Sequence, residues 1–174
     1  MKNKYSLVAA IIALVVALDQ LTKLLVVKKF FLHETVKVVP GFFNLTYVRN
    51  PGAAFGILAG AQAYWRVAFF IVVSCAALAV LALLVRKTEE RLPLVAYAFV
   101  GGGAVGNLID RVRFGEVVDF VDWYYKSYHW PAFNVADAAI TLGVVLLAVD
   151  MLFPRKAEKH QAEVEANEPT QSQP

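Results

Sequence analysis

Four stretches of this chain are apolar over lengths close to the roughly 20 residues that cross a bilayer as a helix. They run over 5–25, 64–85, 92–108 and about 138–153. Within lipid every backbone polar group must be satisfied internally, so helices are the expected form of each run. With 59% hydrophobic and only 18% charged residues, the chain is too apolar for an ordinary soluble domain of its length. A large soluble helical bundle is the alternative, and the run lengths argue against it. The one cysteine, Cys75, excludes an internal disulfide and lies in an apolar run, where packing is its expected role. A net charge of +3 without a basic cluster gives no reason to expect a nucleic-acid partner.

Lys2 and Lys4 precede the first run in the manner of a signal peptide. No small-x-small cleavage site follows Leu18, and further spans come after it, so an uncleaved first helix is expected. Asp19 and Lys23 are spaced i,i+4 and can pair on one helical face, either as a structural interfacial pair or as part of a site. Residues 28–63 form an outer loop with its own pattern. Thr35-Val36-Lys37-Val38-Val39 and Phe43-Asn44-Leu45-Thr46-Tyr47-Val48, separated by Pro40-Gly41, predict a small strand pair. Asn50-Pro51-Gly52-Ala53-Ala54-Phe55-Gly56 predicts a tight turn, in which Asn50 is either a plain turn residue or a hydrogen-bonding group of a site. In the third run, Gly102 and Gly106 have the spacing that lets helices approach closely. A phosphate loop is a poor alternative there, since no strand and no Lys-Ser/Thr accompany the glycines. The whole of 1–154 reads as one unit with outer loops at 28–63 and 109–134, followed by a polar, disordered tail at 155–174.

Lys2, Lys4, Arg86, Lys87, Arg91, Arg155, Lys156 and Lys159 lie in short flanks on one side. Lys28, Lys29, Lys37, Arg49, Arg111, Arg113 and Lys126 are spread over longer loops on the other. The denser side is expected to be cytoplasmic, with both termini inside. It follows that Asp19, Lys23, Asn50, Asn107, Asp110, Arg111, Asp119, Asn134 and Asp137 all fall at the outer face. Ionisable groups so placed are candidates for function.

The chemistry open to this set is narrow. His33, His129 and His160 are scattered and no H-E-x-x-H occurs, so a metal site is not expected. Ser74 lies mid-span and Ser127 in an aromatic loop, neither in a nucleophile setting. Paired carboxylates remain. Two close aspartates cannot both ionise, so one keeps a proton and can polarise a carbonyl while the other activates water. Asp119 and Asp137 are the candidates. Asp150 lies at the far end of the fourth run, Asp122 is expected to be solvated, and Asp110 is expected to be held ionised by the adjacent Arg111. Asn134 also fits a helix N-cap with Asp137 three residues on, a capping role compatible with catalysis.

Five ordered blocks resemble the lipoprotein signal peptidase (signal peptidase II) family. They are Asp19-Gln20-Leu21-Thr22-Lys23; Asn44-Leu45 through Asn50-Pro51-Gly52-Ala53-Ala54-Phe55-Gly56; Gly106-Asn107-Leu108-Ile109-Asp110-Arg111; Val117-Val118-Asp119-Phe120; and Phe133-Asn134-Val135-Ala136-Asp137. The resemblance implies an all-α membrane protein of four transmembrane helices with a small periplasmic β-cradle, in the bacterial inner membrane. It implies an aspartyl endopeptidase that cleaves prolipoproteins before a diacylglyceryl-modified cysteine, without cofactor or metal. Asp119 and Asp137 take the family's catalytic positions, and Asp19, Lys23, Asn50, Asn107, Asp110, Arg111 and Asn134 its supporting ones. Gly52 and Ala53 would let a substrate strand approach the loop backbone. Phe55, Trp123, Tyr124 and Tyr125 form either a mobile lid or an interfacial aromatic belt, the belt being the safer expectation. A small transporter, an intramembrane protease using Asp110, and a non-catalytic scaffold for lipidated proteins are the competing readings.

Overall fold

The computed structural model describes residues 3–52 and 62–153. Ala53 and Phe55, singled out above, and the tail from 155 onward lie outside the described residues. The apolar runs form four helices, α1 (Lys4–Lys29), α2 (Ala63–Lys87), α3 (Arg91–Phe114) and α4 (Val135–Leu152). Each is long and apolar enough to cross a membrane. The expected strand pair is present as β1 (Thr35–Val39) and β2 (Phe43–Asn50). Two further strands, β3 (Val117–Tyr125) and β4 (Tyr128–His129), complete an antiparallel sheet in the order β1-β2-β3-β4.

Packing is uneven. Half of the apolar stretch of α3 is buried within the protein, and none of that of α2. Small residues explain how α3 sits at the centre. Gly102 and Gly106 face α1, where a Cβ would press on Val15 and on the Asp19 carboxylate; Gly103 faces α4, where a Cβ would collide with the Ala136 carbonyl. The helix axes can therefore approach closely on two sides of α3. Such contacts matter because lipid offers no hydrophobic drive for helix association.

The two ends of the bundle differ. At one end the Lys4 ammonium donates to the carbonyls of Arg86 and Thr88, each at 3.0 Å, and ties the start of α1 to the α2–α3 turn. Asp150 lines a recess beside that same turn, far from the polar groups of interest. Those groups sit at the other end, where the sheet meets α1, α3 and α4.

Two expectations need correction here. The third helix does not stop at 108 but runs to Phe114, where Gly115 (φ +74°) ends it and donates to the Arg111 carbonyl at 2.9 Å. That left-handed residue is a standard helix stop. Nor is 109–134 simply a loop. Residues 117–120 are buried on both faces of β3, so no polar-apolar alternation marks the strand. After β4 the chain returns alongside β3: Phe133 donates to the Val121 carbonyl at 3.1 Å and its carbonyl accepts from Phe120 and Val121. This return delivers Asn134 next to Asp119.

Candidate active site

Asp119 is paired opposite Val48 in the β2–β3 ladder and is 1% exposed. Its Oδ2 accepts from Asn50 Nδ2 at 2.8 Å, and its Oδ1 from Asn134 Nδ2 at 2.6 Å. Asp137 stands in the first turn of α4. Its Oδ1 accepts from Asn107 Nδ2 at 2.8 Å, and its Oδ2 from the Asn134 backbone N–H at 3.2 Å. Asn134 Oδ1 in turn accepts the Asp137 N–H at 3.0 Å, so the capping box expected from the sequence is formed. Asn134 thus holds both carboxylates, one through its side chain and one through its backbone. All four carboxylate oxygens accept from neutral N–H groups, and among the described residues no ammonium or guanidinium bonds directly to either acid.

Burial, and after it the charge of Asp137, pushes the Asp119 carboxyl up to about 7, against smaller opposing effects of the Asn50 and Asn134 amides and Lys23. A pair coupled in this way titrates as a unit and keeps one proton where an isolated aspartate would lose it.

A second cluster lies behind the first. The Lys23 ammonium is 3% exposed and its three N–H groups meet three acceptors: Asp19 Oδ2 at 2.9 Å, Asp110 Oδ2 at 2.9 Å and Asn107 Oδ1 at 3.0 Å. Because an ammonium can only donate, it fixes the Asn107 amide with oxygen inward, which turns Nδ2 toward Asp137. Asp19 Oδ1 accepts the Ala136 N–H at 2.9 Å and so caps α4 from another helix. Asp110 Oδ2 also accepts the Val118 N–H at 3.1 Å, joining α3 to β3. Gln20, to which no role was assigned from the sequence, donates to Asp110 Oδ1 at 3.0 Å and to the Gly106 carbonyl at 3.2 Å. A glutamine beside Asp19 in an otherwise apolar run was the available signal.

Two partnerships inferred from adjacency are different in the structure. Asp110 is paired with Lys23, not with Arg111. Neighbouring residues on a helix do not face each other, and the Arg111 guanidinium lies instead over the Phe70 ring, 4.9 Å from its centroid. Asp122 is not solvated: it is 8% exposed, accepts from Asn44 Nδ2 at 2.7 Å and lies 2.8 Å from His129 Nδ1. Gly52 adopts φ +99° and donates to Asn50 Oδ1 at 2.9 Å, so the predicted tight turn orients the amide that reaches Asp119.

An apolar groove of about 510 Å³ opens beside Asp137, lined by Trp123, Trp130, Phe133, Thr141, Leu142 and Val145. Trp123 and Trp130 are exposed at it; Tyr125 is also exposed, on a neighbouring aromatic recess, while the Tyr124 hydroxyl accepts from the Gly41 N–H at 2.7 Å.

Comparison with known proteins agrees with this architecture. The chain is similar to a solved bacterial membrane enzyme at 32% identity and a TM-score of 0.76, covering 97% of this chain and 95% of that one. A second solved bacterial membrane enzyme matches at 36% identity and the same TM-score, over 86% and 95% of the two chains. Among relatives, the lipoprotein signal peptidase of Syntrophus aciditrophicus (strain SB) is 49% identical over 158 residues, which is 90% of this chain and 98% of the relative. That of Syntrophotalea carbinolica is 52% identical over 161 residues, 91% and 98% of the two. The family model described as signal peptidase (SPase) II matches residues 11–153. With fold, relatives and family model in agreement, this multi-pass membrane chain belongs to the signal peptidase II family and is a peptidase.

Proposed function

We propose that the protein is a membrane aspartyl endopeptidase that removes signal peptides from prolipoproteins by hydrolysing the bond before a diacylglyceryl-modified cysteine, with Asp119 and Asp137 as the catalytic pair. The observation that carries this reading is the pair itself: a buried and a half-buried carboxylate gripped by one asparagine, supported by amide N–H groups, beside an apolar groove. The ionised member takes a proton from water as the water oxygen attacks the scissile carbonyl carbon. The protonated member gives its proton to the carbonyl oxygen. The tetrahedral intermediate then collapses: the C–N bond breaks, the departing cysteine nitrogen takes the proton held by the pair, and a hydroxyl of the intermediate returns its proton to the pair as the carbonyl re-forms. The products are a signal-peptide carboxylate and a new amino terminus. No metal or covalent intermediate is required.

Placement supports the same substrate. Acyl chains on a cysteine keep the scissile bond at the membrane interface, and the pair stands where α4 begins. Capture is then a lateral encounter, with orientation supplied by the membrane. The density of basic residues supports cytoplasmic termini in the bacterial inner membrane, with the pair at the periplasmic face. Asp110 is a poor alternative acid, because its two oxygens already accept from Lys23, Gln20 and the Val118 N–H.

The test is cleavage of a diacylglyceryl-modified prolipoprotein by purified protein, with chelator present. Asp119→Asn and Asp137→Asn are each expected to lower turnover by at least roughly 10³-fold, while Asp150→Asn cleaves like wild type. Unmodified prolipoprotein is expected to be a poor substrate. Undiminished cleavage by either dyad variant would remove that residue from the reaction.

A further inference from the structure

α2 supplies none of the polar groups described above, yet one of its side chains reaches the site. Phe70 lies against the Arg111 guanidinium, with 4.9 Å from Cζ to the ring centroid. The same ring packs on the Cα of Gly52, where a Cβ would fall within 2.8 Å of the ring Cζ and closer still to Cδ2 and Cε2. Gly52 closes the turn behind Asp119: its N–H donates to Asn50 Oδ1 at 2.9 Å, and Asn50 Nδ2 donates to Asp119 Oδ2 at 2.8 Å. One aromatic ring therefore touches both the turn behind Asp119 and the nearest guanidinium. Among the described residues Arg111 itself has one side-chain hydrogen bond, a long one of 3.4 Å from Nη1 to the Asn107 carbonyl. Its charge acts on Asp137, Asp119 and Asp110. A guanidinium so weakly tethered takes its orientation from the flat surface it stacks on. Phe69 braces that surface, its ring meeting Phe70 edge-on at 5.3 Å.

We propose that Phe70 is a positioning residue for the peptidase reaction: it holds the Arg111 guanidinium toward Asp137 and Asp119 and fixes the Gly52 turn that aims Asn50 at Asp119. The proposal rests on the reading of Asp119 and Asp137 as the catalytic pair. It gives α2, none of whose apolar stretch is buried within the protein, a part in the chemistry at the end of the bundle.

The experiment measures kcat and KM on a diacylglyceryl-modified prolipoprotein for the full-length protein in detergent. Phe70→Leu, which keeps an apolar side chain but removes the π face, is expected to lower kcat roughly tenfold with KM within about twofold. Phe70→Tyr, which keeps the face, restores wild-type kcat, and Val72→Ala on the exposed side of α2 leaves it unchanged. In an Arg111→Lys background, where stacking is already weakened, Phe70→Leu costs less than about threefold further. A Phe70→Leu kcat within twofold of wild type overturns the proposal. So does a full tenfold loss that persists with Arg111→Lys, since the ring would then act independently of the cation. Asp119→Asn is run alongside: wild-type cleavage by that variant would overturn the catalytic pair itself, whatever Phe70 does.

Discussion

Two pairs of aspartates meet at the same end of the bundle and are held by opposite means. Asp19 and Asp110 share the Lys23 ammonium, and their remaining oxygens are taken up by backbone N–H groups and Gln20. Asp119 and Asp137 share Asn134 and receive only neutral amides. Burial alone does not separate the pairs, since Asp119 is as closed to solvent as Asp19 and Asp110, each about 1% exposed or less, while Asp137 is half-buried. The difference lies in compensation. A buried cation with saturated partners makes a joint between helices. A pair with no cation bonded to it keeps a proton available, which is what a water-activating dyad requires. The two are linked through Asn107, whose oxygen is committed to Lys23 so that its amide can serve Asp137.

Breaking the first cluster should have the largest structural effect. Lys23→Met leaves two buried acids without their cation, and a loss of about 3–5 kcal/mol is expected from a broken buried ion pair. Thermal unfolding in detergent reads this directly, and a melting temperature near wild type would show that Asp19 and Asp110 do not depend on Lys23. Removing the shared asparagine of the second pair should act on both rate and fold. Asn134→Ala loses the N-cap of α4, costing about 1–2 kcal/mol, and loosens both carboxylates, so turnover is expected to fall roughly 100-fold. If only stability changed, Asn134 would be a cap and nothing more. The smallest effect is expected at Asp122, a buried aspartate outside both pairs, whose partner His129 has a side chain 53% exposed. His129→Gln should shift stability by less than about 1 kcal/mol and leave cleavage unchanged, a contrast that confines the chemistry to the Asn134-linked pair.

The sequence carried the helices, the β1–β2 pair and the clustering of polar residues at one end, because run length, turn chemistry and basic flanks are local signals. Asn134 as cap of α4 was legible for the same reason. What was hidden depended on partners distant in sequence. Asp110 looked as if it belonged to Arg111, but helix geometry turns neighbours apart and brings Lys23 from α1. Asp122 looked solvated because Asn44 comes from β2. β3 was obscured because a strand buried on both faces along 117–120 has no polar-apolar alternation, and Asp119 and Asp122 interrupt its otherwise strand-favouring Val, Phe, Trp and Tyr residues. The role of Phe70 had no signal at all: a phenylalanine in an apolar run is indistinguishable from its lipid-facing neighbours.

The claim that Asp119 and Asp137 share a proton has a thermodynamic consequence that activity assays do not supply. With its folded value raised from 3.8 to about 7, Asp119 binds a proton in the folded state over a range where the unfolded chain has released it. Lowering the pH through 7 toward 4 should therefore stabilise the fold, and raising it through 7 should remove that contribution, by up to roughly 4 kcal/mol in all. The measurement is the melting temperature of wild type minus that of Asp119→Asn, taken from pH 8.5 to pH 5, so that other titrating groups largely cancel. The account predicts that this difference moves in favour of wild type as the pH falls through 7. A difference that stays flat, or that moves in favour of the variant, would show that no shared proton is held at the pair.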